Sequence, residues 1–270
     1  MIKKLTVLLL CAVLPQFILA QEWNFESSRK LENSVRIINN DRFGNFYLND
    51  TRGNIIMLDS MGHFQRQFAP SHYGQLASLE SWTALRIFLF YQDIQQYSFL
   101  DRYLNPAEFN RLPDEIFGIV ALASPSSDNQ LWLLDLSPLN LVKFDIRFNT
   151  ISLSQPLHQL SDTIKLSPYQ LIEYQNRVYL GDSVLGILVF DNLGNYLRTI
   201  KKTGTEHFYP LNSEFYYLRN NRIHFNAIYQ DNHRSVNLPG TDISYQHVLL
   251  TNSKAMLISN QQLYLYTYKP

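Results

Sequence analysis

The chain is 270 residues long and carries 23 Lys plus Arg against 23 Asp plus Glu, a formal net charge of zero. That balance, with no Lys/Arg run longer than two, argues against a nucleic-acid partner. Apolar residues make up 46%, enough for the buried core of one sizeable domain, and the 14% of aromatics, with 17 Tyr and 17 Phe, favour pleated strands.

Residues 1–20 read as a separate object. A basic start, Lys3-Lys4, precedes the apolar run 5–14 and a small residue at Ala20, the pattern of a secretory signal peptide cut before Gln21. The run is too short to cross a bilayer comfortably, so no transmembrane segment is expected after cleavage. Cys11, the only cysteine, falls mid-way through this run and reads as signal-peptide filler, not a lipidation site. The remaining 21–270 then form a single domain of net charge about −2 with no thiol chemistry and no disulfide.

The mature segment opens with "WNFES" (23–27), a strand whose partner is not nearby. Next comes a four-strand unit, roughly 35–40, 46–50, 55–59 and 63–68, with turns "DRFGN", "TRGN" and "SMG". In these turns Asp accepts backbone N–H bonds and Gly takes the positive-φ position that closes a short hairpin. The unit repeats. Apolar runs end at Asp59, Asp101, Asp145 and Asp191, spaced 42, 44 and 46 residues apart, and each is preceded by a second strand ending at Asp50, Asp93, Asp135 or Asp182. Two features keeping step through four copies mark a repeat architecture. The units after residue 200 are degenerate: 213–229 supplies two strands around Asn220-Asn221, and 247–269 supplies three. About 250 mature residues at about 42 per unit give six units, with five or seven left open by the poor alignment of the last 60 residues, and "WNFES" can supply the strand missing from the last. The expected fold is all-β: a β-propeller of six blades, each of four antiparallel strands, with the ring closed by the N-terminal strand.

The pattern D-x-x-G-N-F-Y-L-x-D…G…I-x-x-L-D-x-x-G over 41–62 resembles NHL-type and TolB-like six-bladed propellers, and 199–211 resembles the linker between NHL blades. The likeness runs well through 35–200 and loosely beyond. Several turns use Asn, Gln or Pro where that family has Gly. Some six-bladed lactonases and sugar dehydrogenases of similar shape hold calcium at the axis, so the resemblance implies a calcium-dependent propeller enzyme as the alternative function.

The eight aspartates 50, 59, 93, 101, 135, 145, 182 and 191 end strands at matching places around a circle, so they read as turn caps, not as catalytic groups or ligands. The histidines at 63, 72, 158, 207, 224, 233 and 247 form no zinc spacing. There is no Gly-x-Ser-x-Gly, no phosphate loop and no dinucleotide fingerprint. No cofactor and no metal are therefore expected, and no catalytic residue is nominated. The crossings between blades, "FAPSHYGQ" (68–75) and "GTEHFYP" (204–210), carry His72, Tyr73, His207 and Tyr209, contact-type residues on loops that a rigid scaffold would present on one face. Three Asp-Ser/Thr-apolar triplets, at 59–61, 162–164 and 182–184, resemble acceptor sites of a Gram-negative O-glycosylation system. Together these features predict a monomeric, non-enzymatic binding or scaffold module, exported to the periplasm or cell surface of a Gram-negative bacterium, with an envelope protein or glycan as partner.

Overall fold

The structure, a computed structural model, describes residues 23–71, 74–158, 166–202, 204–240 and 242–268. The expected signal peptide, Cys11 and the triplet at 162–164 lie outside these residues. Short alternating segments cut by tight turns give 24 strands in six antiparallel four-stranded sheets and no helix among the described residues. Blade 1 holds β2 (Val35–Asn40), β3 (Phe46–Asp50), β4 (Ile55–Leu58) and β5 (Phe64–Phe68). Blade 2 holds β6 (Leu76–Glu80), β7 (Arg86–Tyr91), β8 (Gln96–Asp101) and the short β9 (Asn110–Arg111). Blade 3 is β10 (Val120–Pro125), β11 (Leu131–Asp135), β12 (Asn140–Asp145) and β13 (Thr150–Pro156). Blade 4 is β14 (Pro168–Tyr174), β15 (Arg177–Asp182), β16 (Gly186–Asp191) and β17 (Tyr196–Ile200). Blade 5 is β18 (Phe208–Leu211), β19 (Glu214–Arg219), β20 (Arg222–Ala227) and β21 (His233–Asn237). Blade 6 joins β22 (His247–Leu250), β23 (Lys254–Ser259) and β24 (Gln262–Tyr268) to β1 (Trp23–Lys30), which pairs antiparallel with β24 from Trp23↔Tyr268 to Lys30↔Gln262. This is the six-bladed β-propeller that the repeat predicts, closed by its N-terminal strand.

Burial follows strand position within each blade. Every residue of β3 and β11 is buried, while the outermost strands β1, β5 and β21 are largely exposed. A blade is apolar on both faces at its centre and cannot bury them alone. The core is accordingly divided among the six seams between blades. Phe88 and Phe90 meet Leu133 and Phe144 at seam 2–3; Trp132 and Leu134 meet Leu180 and Phe190 at seam 3–4. Ile38 and Leu48 meet Met256 and Leu265 at seam 6–1, where the two ends of the chain's ring join. Each such side chain contributes about 1.5–3 kcal/mol by leaving water.

Polar bridges cross the same seams. The Gln95 amide donates to Val120 O and accepts from Val120 N, at 2.8 and 3.0 Å. Gln170 does the same with the backbone of Phe208, at 2.9 and 3.0 Å. Such double bonds satisfy innermost-strand backbone groups that no fifth strand reaches.

The repeated aspartates divide into two circles, one on each face. Those ending third strands cap the turn that follows: Asp59, Asp101 and Asp191 each accept from the N–H groups two and four residues on, at 2.7–2.9 Å. Asp145 accepts from Arg147 N and from its guanidinium, which holds the carboxyl down at about 2. Those ending second strands tie their blade to the crossing that enters it: Asp50 accepts from Asn33, Asp93 from Gln75 N, Asp135 from Gly118 N and Asp182 from Ser167 N.

Several turns reach positive φ without glycine, at Gln95, Asn129, Asn176, Asn212 and Asn220 among others, which accounts for the low glycine content. Gly186 is different. Its φ is +104°, and a Cβ there would meet the Ile200 carbonyl oxygen at 2.4 Å and Lys202 N at 2.9 Å. Gly186→Ala is expected to cost about 3 kcal/mol or more, because backbone on both sides must shift. Urea unfolding checks this, and a loss below about 0.5 kcal/mol would show that β16 and β17 separate easily.

Candidate functional site at the mouth of the ring

Each innermost strand runs toward the face bearing the first turn of its blade, so the mouth of the ring on that face is lined by the ends of β6, β10 and β14 and by the turns after them. In blades 2, 3 and 4 these turns depart from the Asp-x-x-Gly form of blade 1. They read Ser81-Trp82-Thr83-Ala84, Ser126-Ser127-Asp128-Asn129 and Gln175-Asn176. Between them lies a cavity of about 470 Å³, within the range of small-molecule sites.

Trp82 is 48% exposed and projects from the blade 2 turn, whose closure rests on a 2.9 Å bond from Ala84 N to Ser81 O. Its ring meets Tyr174 of blade 4 edge-on at 6.0 Å, reaching over the intervening blade 3. Arg86 opens β7 and lies over the Phe99 ring at 3.9 Å. On the blade 3 side, Glu173 accepts from Ser126 Oγ at 2.7 Å, Ser127 N at 3.0 Å and Trp132 Nε1 at 2.6 Å. Those three bonds fix the blade 3 turn against blade 4 and occupy both carboxylate oxygens. The amides of Asn129 and Asn176, both at positive φ, border the cavity and make no side-chain hydrogen bond among the described residues.

At the floor the cavity meets Glu80, where a narrow axial passage begins. Its carboxylate retains some accessible area along the passage, but protein crowds it on all sides and burial pushes it up to about 8, opposed only by the 3.3 Å bond from Asn39 Nδ2. His207 and Tyr209 line that passage with Gln170. Burial, with His247 and Lys202 nearby, brings His207 down to about 4, and burial holds the Tyr209 phenol well above its usual range. Among the described residues no group of three or more His, Asp or Glu converges as a metal centre.

The nominated contact residues thus separate. His72 and Tyr73 lie outside the described residues; their crossing borders a shallow hollow on the opposite face, lined by Gln75, Gln92, Asp93, Gln95 and Ile119. His207 ends its crossing, edge-on to Tyr169 at 6.0 Å, and Tyr209 belongs not to the crossing but to the innermost strand β18, 5.6 Å from Tyr216. Sequence reasoning did not nominate Trp82, Arg86, Asn129, Tyr174 or Asn176. The available signal was the loss of the Asp-x-x-Gly form from three successive turns of an otherwise regular repeat.

No family model matches the chain, and no curated protein matches it in sequence. Solved structures do resemble it in shape. Virginiamycin B lyase from Staphylococcus aureus superposes with a TM-score of 0.60 at 8% identity, covering 92% of this chain and 99% of that one. The Pan2 WD40 domain of Neurospora crassa gives 0.61 at 9% identity over 91% and 95%. The extracellular domain of BT4673 from B. thetaiotaomicron gives 0.54 at 12% identity over 87% of this chain and 33% of that one. A lyase, a WD40 domain and an extracellular domain share little besides architecture, so at these identities the resemblance bears on fold alone: it agrees with the β-propeller whose six blades the sheets of this chain show.

Proposed function

We propose that this chain is an exported, non-catalytic binding module of the bacterial envelope, and that the cavity that Trp82 and Tyr174 border receives the end of a glycan carried by a partner. The observation that carries this reading is the half-exposed Trp82 ring, set at the edge of a cavity bordered by the unengaged amides of Asn129 and Asn176. An aromatic face packs on the C–H face of a sugar ring, and side-chain amides bond vicinal hydroxyls in pairs. Export rests on the pattern of residues 1–20 and is supported by the likeness to an extracellular domain. Glu173 and Ser126 are spent on each other, which supports a binding role for this pair over a catalytic one.

The experiment is a glycan array with the folded chain, followed by titration of the best ligand into Trp82→Ala. Wild type should bind a defined saccharide, and the variant should bind it at least about tenfold more weakly with its melting temperature unchanged. Wild type binding no glycan, or the variant binding as well as wild type, would sink the reading.

A further inference from the structure

We infer that the sugar taken by this cavity is an acidic one, a hexuronate whose carboxylate is received by Arg86. The inference rests on the saccharide reading and adds charge to it. Among the described residues Arg86 is the only Lys or Arg lining the cavity. It is exposed there, held by one face over Phe99 at 3.9 Å, and among the described residues no carboxylate lies within ion-pair distance of it. Lys143, Arg147 and Arg234 are paired with Asp128, Asp145 and Glu214, and Arg42, Arg66, Arg102 and Arg177, which also lie over aromatic rings, do not line the cavity, so its place there is what distinguishes Arg86. A guanidinium anchored on an aromatic ring keeps its N–H fork available, and that fork matches a carboxylate with two parallel bonds.

The two acidic groups of the cavity do not compete for that fork. Glu173 already accepts three hydrogen bonds, from Ser126, Ser127 and Trp132, which hold it against the blade 3 turn. Glu80 lies at the floor, where burial keeps it largely protonated at neutral pH, so it faces a ligand as a hydrogen-bond donor more than as a negative charge. The site therefore offers one cation, a flat aromatic surface at Trp82 and free amides at Asn129 and Asn176. A peptide carboxylate can also bond the amides, but it does not present a rigid ring face and vicinal hydroxyls together with its charge. A pyranose bearing a carboxylate uses all three, which is why the acidic sugar is the occupant argued here.

The test is calorimetric titration of the whole domain with two matched pairs, methyl glucuronide against methyl glucoside and methyl galacturonide against methyl galactoside. One acidic member should bind about tenfold more tightly than its neutral partner at low salt. That preference should vanish in Arg86→Gln, survive in part in Arg86→Lys and shrink in 0.5 M salt. Because Arg86 is exposed, both variants should melt with wild type. Equal binding of acid and neutral partners, or a preference that persists in Arg86→Gln, overturns the inference and leaves the saccharide reading standing. Binding of acetyl-phenylalanine carboxylate with no binding of any glycoside overturns both.

Discussion

Removing β1 (Trp23–Lys30) is expected to cost the ring most of its margin of stability. The strand contributes a full antiparallel ladder to β24. Trp23 stacks on Tyr268 at 5.5 Å and donates its indole N–H to Asn237 O at 3.1 Å, and Glu26 pairs with Lys254 and accepts from Thr267. Without β1, Tyr264, Tyr266 and Tyr268 stand on an open sheet edge, where unpaired backbone is a template for association. A loss of about 5 kcal/mol corresponds to a melting temperature lower by about 10–20 °C in a domain of this size. Calorimetry of a chain beginning after residue 30, with light scattering for self-association, checks both parts. A truncated chain that melts within about 2 °C of the full domain and stays monomeric would show that three strands close the ring unaided.

The second large effect is a pH dependence centred on Glu80. Folding raises this carboxyl from the ordinary carboxylate range to about 8. The native state therefore holds a proton that the unfolded chain has released, and stability falls as pH rises from about 4.5 to about 8. Glu80→Gln keeps an acceptor for Asn39 but cannot ionise, so it should be more stable than wild type at pH 8, by about 4 kcal/mol, and nearly equal to it at pH 4. His207 acts on the acid side. Brought down to about 4, it stays neutral in the fold while the unfolded chain charges below about 6.5, so stability also falls as pH drops through that window. Urea unfolding of wild type and Glu80→Gln at a series of pH values separates the two. Parallel profiles would mean that Glu80 ionises in the fold as it does in water.

The spacing of Asp50, Asp93, Asp135 and Asp182, in step with Asp59, Asp101, Asp145 and Asp191, determined the blade from sequence alone, and chain length divided by that spacing put the count at six, which the six sheets settle. The reason is local: hairpins, turn caps and the 2-residue alternation of strands are written within a few tens of residues, and a unit that cannot bury its own faces must stack. The closing role of 23–27 was legible by counting strands, because a ring leaves one place for an extra one. The cavity was not legible. Trp82, Asn129 and Tyr174 are about 45 residues apart, in or beside the first turns of three different blades, and only closure of the ring brings them to one mouth. Tyr209 shows the converse. Its neighbours in sequence read as a loop, but the backbone of Phe208–Leu211 finds β19 as a ladder partner and becomes the wall of the axis. Glu80 too was an ordinary strand-end carboxylate until six innermost strands surrounded it. Periodicity determined the architecture; the depth, charge state and company of each side chain were decided by the curvature of the ring.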